Sequence, residues 1–182
     1  LSKIMVKATA SNLAIIDALS IKPFLITRPI VDVIVSIKDH FDNDYDGNQL
    51  SFMWPQLHLN NSFSNLADDV QIDLIIDHFT PWVIDYLNSW MDAEKTFGSF
   101  LWLTYDDIVT DLKSTILRIA EYYDHPMDIS NLDKIAKNSK TVKNYFNKGE
   151  MGRGKTTLSL AQQERLKSFF RHHPQLESFI GL

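Results

Sequence analysis

The stretch "PFLITRPIVDVIVSIKDHF" (Pro23–Phe41) decides the fold. Its first five residues, Pro23 to Thr27, form a short apolar run with β-branched and aromatic members, which reads as a buried strand. The run ends in Arg28, and a helix is expected to follow from about Pro29. Working outward, "KIMV" (Lys3–Val6) and "FLWLT" (Phe100–Thr104) share the strand character. Amphipathic segments lie between and after them. Thr80 followed by Pro81 reads as a helix start, because proline at the first helical position forfeits no needed donor. Trp82, Val83, Tyr86, Leu87, Trp90 and Met91 then share one face, and Ile108, Leu112, Ile116, Ile119 and Tyr123 form a similar stripe. Strands alternating with helices predict an α/β fold with a short, mostly parallel sheet, in which ligands meet the carboxyl ends of the strands.

Composition narrows the function. A chain of 182 residues, 45% hydrophobic, suffices for one globular domain with a core. With no cysteine, disulfides, thiolate metal sites and a cysteine nucleophile are excluded. The absence suits a reducing compartment, and the chain is expected to be cytoplasmic. A net charge of −5 argues against a nucleic-acid binder, which normally carries a basic stripe. No apolar run approaches the ~20 residues that span a bilayer.

Two motifs imitate other chemistries. "GEMGRGKT" (Gly149–Thr156) satisfies the phosphate-loop pattern G-x-x-x-x-G-K-[ST]. A working phosphate loop follows a buried strand and opens a helix at its Lys-Thr. Here the preceding "KTVKNYFN" is polar, and the next helix is expected only after Ser159, whose capping box closes on Gln162. In "DNDYDGNQLSFM", Asp42, Asp44, Asp46 and Gly47 are spaced as in a calcium loop, but Met53 stands where a bidentate glutamate should be. A polar turn is the better reading.

Arg28, at a strand's carboxyl end, and Ser36, on the second turn of the following helix, can face one crevice. A guanidinium fork and a hydroxyl suit a terminal phosphate. A surface ion pair for Arg28 and a local backbone bond for Ser36 remain the alternative.

With these residues in place, the chain resembles the sulfotransferases that use 3'-phosphoadenosine-5'-phosphosulfate (PAPS). The family pattern R-x-P-x-D-x-x-x-S is matched by Arg28, Asp32 and Ser36, with the proline displaced to Pro29. A section reading W-x-x-H-V-x-x-W and then a strand with Y-E-D is similar to "WVIDYLNSWMDAEKTFGSFLWLTYDDI", with Trp82, Trp90, Tyr105, Asp106 and Asp107. The closing loop R-K-G-x-x-G-x-W-K is matched by "NKGEMGRGK" at Lys148, Gly149, Gly152 and Lys155. The resemblance runs in order from about Met5 to Phe170.

It implies a P-loop-NTPase-like, three-layer fold and PAPS as co-substrate without a metal. The sulfuryl group would pass to a small-molecule, sugar or lipid acceptor. Arg28 and Ser36 would hold the 3'-phosphate with Lys148 and the backbone of Gly149. Tyr105 would approach the adenine, with Ser139 as a further contact on that side. Lys7 corresponds to a family lysine beside the transferring group. Lys7, Arg28, Lys148, Arg153 and Lys155 could together draw an anionic donor to an acidic chain. The acceptor pocket would come from Asn43 to Leu66.

The departures are specific. Thr9 stands where many members have a histidine base, and a hydroxyl is too weakly basic for that work. His40 and His58 have no motif to recommend them as replacements. Asn147 replaces the loop arginine and Gly154 its tryptophan. The family's 5'-phosphosulfate loop, P-K-[ST]-G-T-T-like, is not found, and the first residue is Leu1. The expectation is therefore a single sulfotransferase-like domain over residues 1–182 that lacks its amino-terminal strand, loop and helix. The competing readings are a non-catalytic domain binding 3'-phosphoadenosine-5'-phosphate (PAP), and an ATP- or GTP-dependent enzyme built on Gly149–Thr156.

Overall fold

The computed structural model describes residues 6–43, 63–125, 127 and 150–182. They belong to two compact units, one of Leu1–Arg28 with Ser89–Gly149, the other of Pro29–Asn88 with Glu150–Leu182.

In the first unit, strand β1 (Phe24–Thr27) pairs in parallel with β2 (Leu101–Thr104), in the register Phe24↔Leu101 to Thr27↔Thr104. Leu25 and Leu103 supply the buried side chains of this short sheet. The start of β1 is held by two tyrosines: Tyr122 Oη donates to the Pro23 carbonyl at 2.8 Å, and Tyr123 Oη to that of Lys22 at 2.6 Å. The start of β2 is held by Glu94, whose Oε1 accepts from the Phe100 N–H at 2.9 Å and from Trp102 Nε1 at 2.8 Å. Of the segment expected as a first strand, only Val6 lies within the described residues, and it is irregular. Helix α1 (Ala10–Ala18) follows it.

The second unit opens with helix α2 (Ile30–Asn43), whose buried face includes Ile30, Val31, Ile34 and Val35. A 3₁₀ turn at Phe63–Asn65 packs Phe63 edge-on against Phe41, with ring centroids 5.3 Å apart. Helix α3 (Asp68–Phe97), whose residues up to Asn88 belong to this unit and from Ser89 to the first, corrects the expected start at Thr80–Pro81, since Pro81 lies well inside it. The true start carries its own signals: Asp68 and Asp69 suit the dipole, and Gln71 Nε2 donates to the carbonyls of Phe63 and Leu66, each at 3.0 Å. An interior proline costs a helix ~3 kcal/mol. Burial of Ile75, Ile76 and Phe79 before it and Val83, Ile84 and Leu87 after it offsets that cost. Gly98, at φ 87°, ends α3 in a left-handed conformation that glycine tolerates best.

The stripe expected after β2 is two helices, α4 (Tyr105–Thr110) and α5 (Leu112–Tyr122). They part at Asp111, whose carboxylate caps α5 by accepting from the Ser114 N–H at 3.0 Å. A one-turn helix α6 (Arg153–Thr157) precedes α7 (Leu160–Phe170). The capping box of Ser159 and Gln162 opens α7 as expected, while α6 lies before the first helix expected in this region. A 3₁₀ turn at Pro174–Phe179 ends the unit. Parallel strands joined through helices make this the α/β class read from the sequence. No helix among the described residues is long and apolar enough to cross a membrane.

Candidate functional site

The strand register places the first pair of candidate residues. Because Thr27 pairs with Thr104 in parallel, Arg28 and Tyr105 are the next residues at the carboxyl ends of the two strands. The Arg28 guanidinium lies over the Tyr105 ring, 4.4 Å from its centroid. Such a pair contributes ~0.5–2 kcal/mol and keeps a planar cation against the ring. Tyr105 is the first residue of α4, with Thr104 as its cap, and it directly follows β2. Asp107 completes that cap: its Oδ2 accepts from the Thr104 N–H at 3.0 Å and pairs with Arg118 at 3.2 Å. The Thr104 backbone bond, first among these, holds the Asp107 carboxyl below the usual carboxylate range. The acidic pair after Tyr105 therefore has a structural duty in Asp107.

Lys7 and Thr9 belong to the same unit. Lys7 is half-buried, and its carbonyl accepts from the Thr9 N–H at 2.9 Å and from Asn12 Nδ2 at 2.8 Å. Thr9 is the N-cap of α1, its hydroxyl accepting from the Asn12 N–H at 3.3 Å. A threonine at this position thus serves the helix start.

In the second unit the closing loop is organised by a carboxylate. Asp32, 2% exposed, accepts from the Gly152 N–H at 2.8 Å and from the Gly154 N–H at 2.7 Å. These are donors that a triphosphate cradle would turn toward its ligand, and here they are committed to a side chain. Two glycines of the phosphate-loop pattern thus already give their N–H groups to a carboxylate of the chain itself. Gly152, at φ 74°, makes the left-handed turn into α6. Gly154 lies against the backbone of α2, where an added Cβ would come within 2.3 Å of the Val31 carbonyl carbon. A side chain at this position would therefore strike the backbone of a buried helix.

Arg153 is also engaged. Its Nη1 donates to Asp39 Oδ2 at 2.7 Å, with Glu150 at 3.7 Å, and the Asp39 bond raises its pKa further. Ser36 is half-buried on α2, one helical turn beyond Asp32, and Lys155 is exposed on α6. The structure thus brings Arg28 to Tyr105, and Asp32 to Gly152 and Gly154. Ser139, Lys148, Gly149, Asn147 and His58 lie outside the described residues, as does most of the Asn43–Leu66 segment with its calcium-loop lookalike. His40 is half-buried in α2. Among the aromatics, Trp82 stacks on Tyr86 at 5.3 Å and Trp90 meets Phe100 edge-on at 5.4 Å, so both tryptophans pack within their own units.

The model of one protein family, described as the sulfotransferase domain, matches residues 15–178, nearly the whole chain. The chain belongs to the sulfotransferase domain family. Membership carries sulfuryl transfer as the general activity and agrees with the family named from the motifs. The search of curated proteins found no match. In the sequence Asp32 stands out only as a spacing marker of this family. Its placement in "IVDVIVS", a charge within an apolar helical run, was the available signal that donors must converge on it.

Proposed function

We propose that this sulfotransferase takes its sulfuryl group from PAPS and passes it to a hydroxyl or amine of a small-molecule, sugar or lipid acceptor, leaving PAP. The acceptor atom bonds to sulfur as the bond from sulfur to the 5'-phosphate oxygen breaks, and the acceptor's proton is released. Catalysis of this kind relies on placement and charge stabilisation, without a covalent intermediate on the protein.

The observation that carries the reading is the Arg28 guanidinium lying over the Tyr105 ring at the carboxyl ends of two parallel strands. A guanidinium beside an aromatic ring offers a fork for a ribose phosphate and a flat partner for a base. Lys7 is proposed to stand near the transferring group. Ser36 and Lys155 are proposed as phosphate contacts from the family motifs, with Lys148, Gly149 and Ser139. Gly152 shapes its loop, its N–H being taken by Asp32. Arg153 contributes charge while bonded to Asp39.

Arg28→Ala is expected to weaken PAP binding about ten- to hundredfold, the loss of ~1.5–3 kcal/mol typical of a charge-assisted bond. Isothermal titration of PAP into both proteins reads this directly. A change smaller than twofold would remove Arg28 from the site.

A further inference from the structure

Lys7 stands in a segment with no regular structure, Val6–Thr9, which is nevertheless fixed on both sides of that residue. Before it, the Val6 carbonyl accepts from Trp90 Nε1 at 2.9 Å. After it, the Ala8 N–H donates to Ser89 Oγ at 3.0 Å. The two partners are consecutive residues of α3, so one helical turn holds both neighbouring peptide units. Trp90 is buried with its ring edge-on to Phe100, which fixes the direction of its N–H. The Lys7 carbonyl is tied in turn to Thr9 and Asn12, at the start of α1.

Irregular backbone usually owes its position to few contacts. Four bonds within four residues, two from one helix and two from the start of the next, concentrate order at a single lysine. We propose that Ser89 and Trp90 are positioning residues: they set the place from which the Lys7 ammonium meets the group in transfer. The inference rests on the PAPS reading above. Stabilisation of charge developing in a transition state depends on sub-ångström placement, so a loosened backbone at Lys7 acts on the chemical step before it acts on nucleotide binding.

The test follows PAPS consumption in the presence of a mixed alcohol, phenol and sugar acceptor set, alongside PAP binding and the melting temperature. Ser89→Ala is expected to lower kcat about tenfold or more, with the PAP Kd changed less than twofold. Ser89→Thr, which keeps the hydroxyl acceptor, should restore most of the rate. Trp90→Phe, which keeps the packing and loses the donor, should lower kcat in the same sense. In the double variant, Lys7→Ala with Ser89→Ala should be no slower than Lys7→Ala alone, because the serine acts through the lysine. Unchanged kcat in Ser89→Ala, or additive losses in the double variant, would overturn the inference while leaving the donor reading intact. So would a wild-type chain that binds PAP and consumes no PAPS. A wild-type chain that does not bind PAP would end the donor reading itself.

Discussion

Asp32→Ala is expected to lower the unfolding free energy by ~2–4 kcal/mol. The carboxylate is 2% exposed and accepts two backbone donors, from Gly152 and Gly154. Hydrogen bonds to a charged group contribute ~1.5–3 kcal/mol each, not additively, and the buried Gly154 N–H and the part-buried Gly152 N–H would both lose their acceptor. Asp32 also lies in the first turn of α2, where a negative charge complements the helix dipole. Against a total stability of ~5–15 kcal/mol, this is a large loss. Asp32→Asn should fall between the two, since the amide keeps one acceptor and turns a donor toward the other N–H. Chemical denaturation of the three proteins decides it. A loss below ~0.5 kcal/mol for the alanine variant, the range of ordinary surface changes, would show that the carboxylate does not hold this loop.

The second large effect is expected at Gly154. A methyl group there would come within 2.3 Å of the Val31 carbonyl carbon and within 2.5 Å of its Cβ and carbonyl oxygen. Val31 is fully buried in α2, so the obstacle is backbone in a packed helix, which cannot step aside. Helix α6 would have to lift, and lifting it breaks the bond from the Gly154 N–H to Asp32. Gly154→Ala should therefore cost ~1–3 kcal/mol or more. The damage overlaps with that of Asp32→Ala, so the double variant should lose less than the sum of the two. Additive losses would mean that the glycine and the carboxylate act on separate structures. The neighbouring Lys155→Ala, at an exposed position, is the control and should stay within ~0.5 kcal/mol.

Local signals carried most of what could be read in advance. The strands at Phe24–Thr27 and Leu101–Thr104 stand out as apolar runs, and the Ser159–Gln162 capping box announces α7, because each depends on residues close in sequence. The nearness of Arg28 and Tyr105 is a consequence of the parallel register, which places them side by side once the strands are paired.

What escaped the sequence was decided by tertiary contact. Pro81 looks like a boundary, yet buried side chains on both sides carry α3 through it. Asp111 interrupts an apolar stripe that looks continuous, because its side chain caps a new helix. Gly154 reads as a departure from a family tryptophan until the backbone of Val31 is seen against it. Asp32 reads as spacing until the glycine donors are counted. Thr9 reads as a missing base, and it is a helix cap.

The decisive comparison is the melting temperature in PAP against that in AMP at matched concentration. A site built for the ribose phosphate must favour the ligand that carries it, through linkage. PAP at a hundredfold excess over its Kd is expected to raise the midpoint by roughly 5–10 °C. AMP should shift it far less, and Arg28→Ala should lose the difference. Equal shifts with PAP and AMP, or none with either, would contradict the assignment of PAPS as donor.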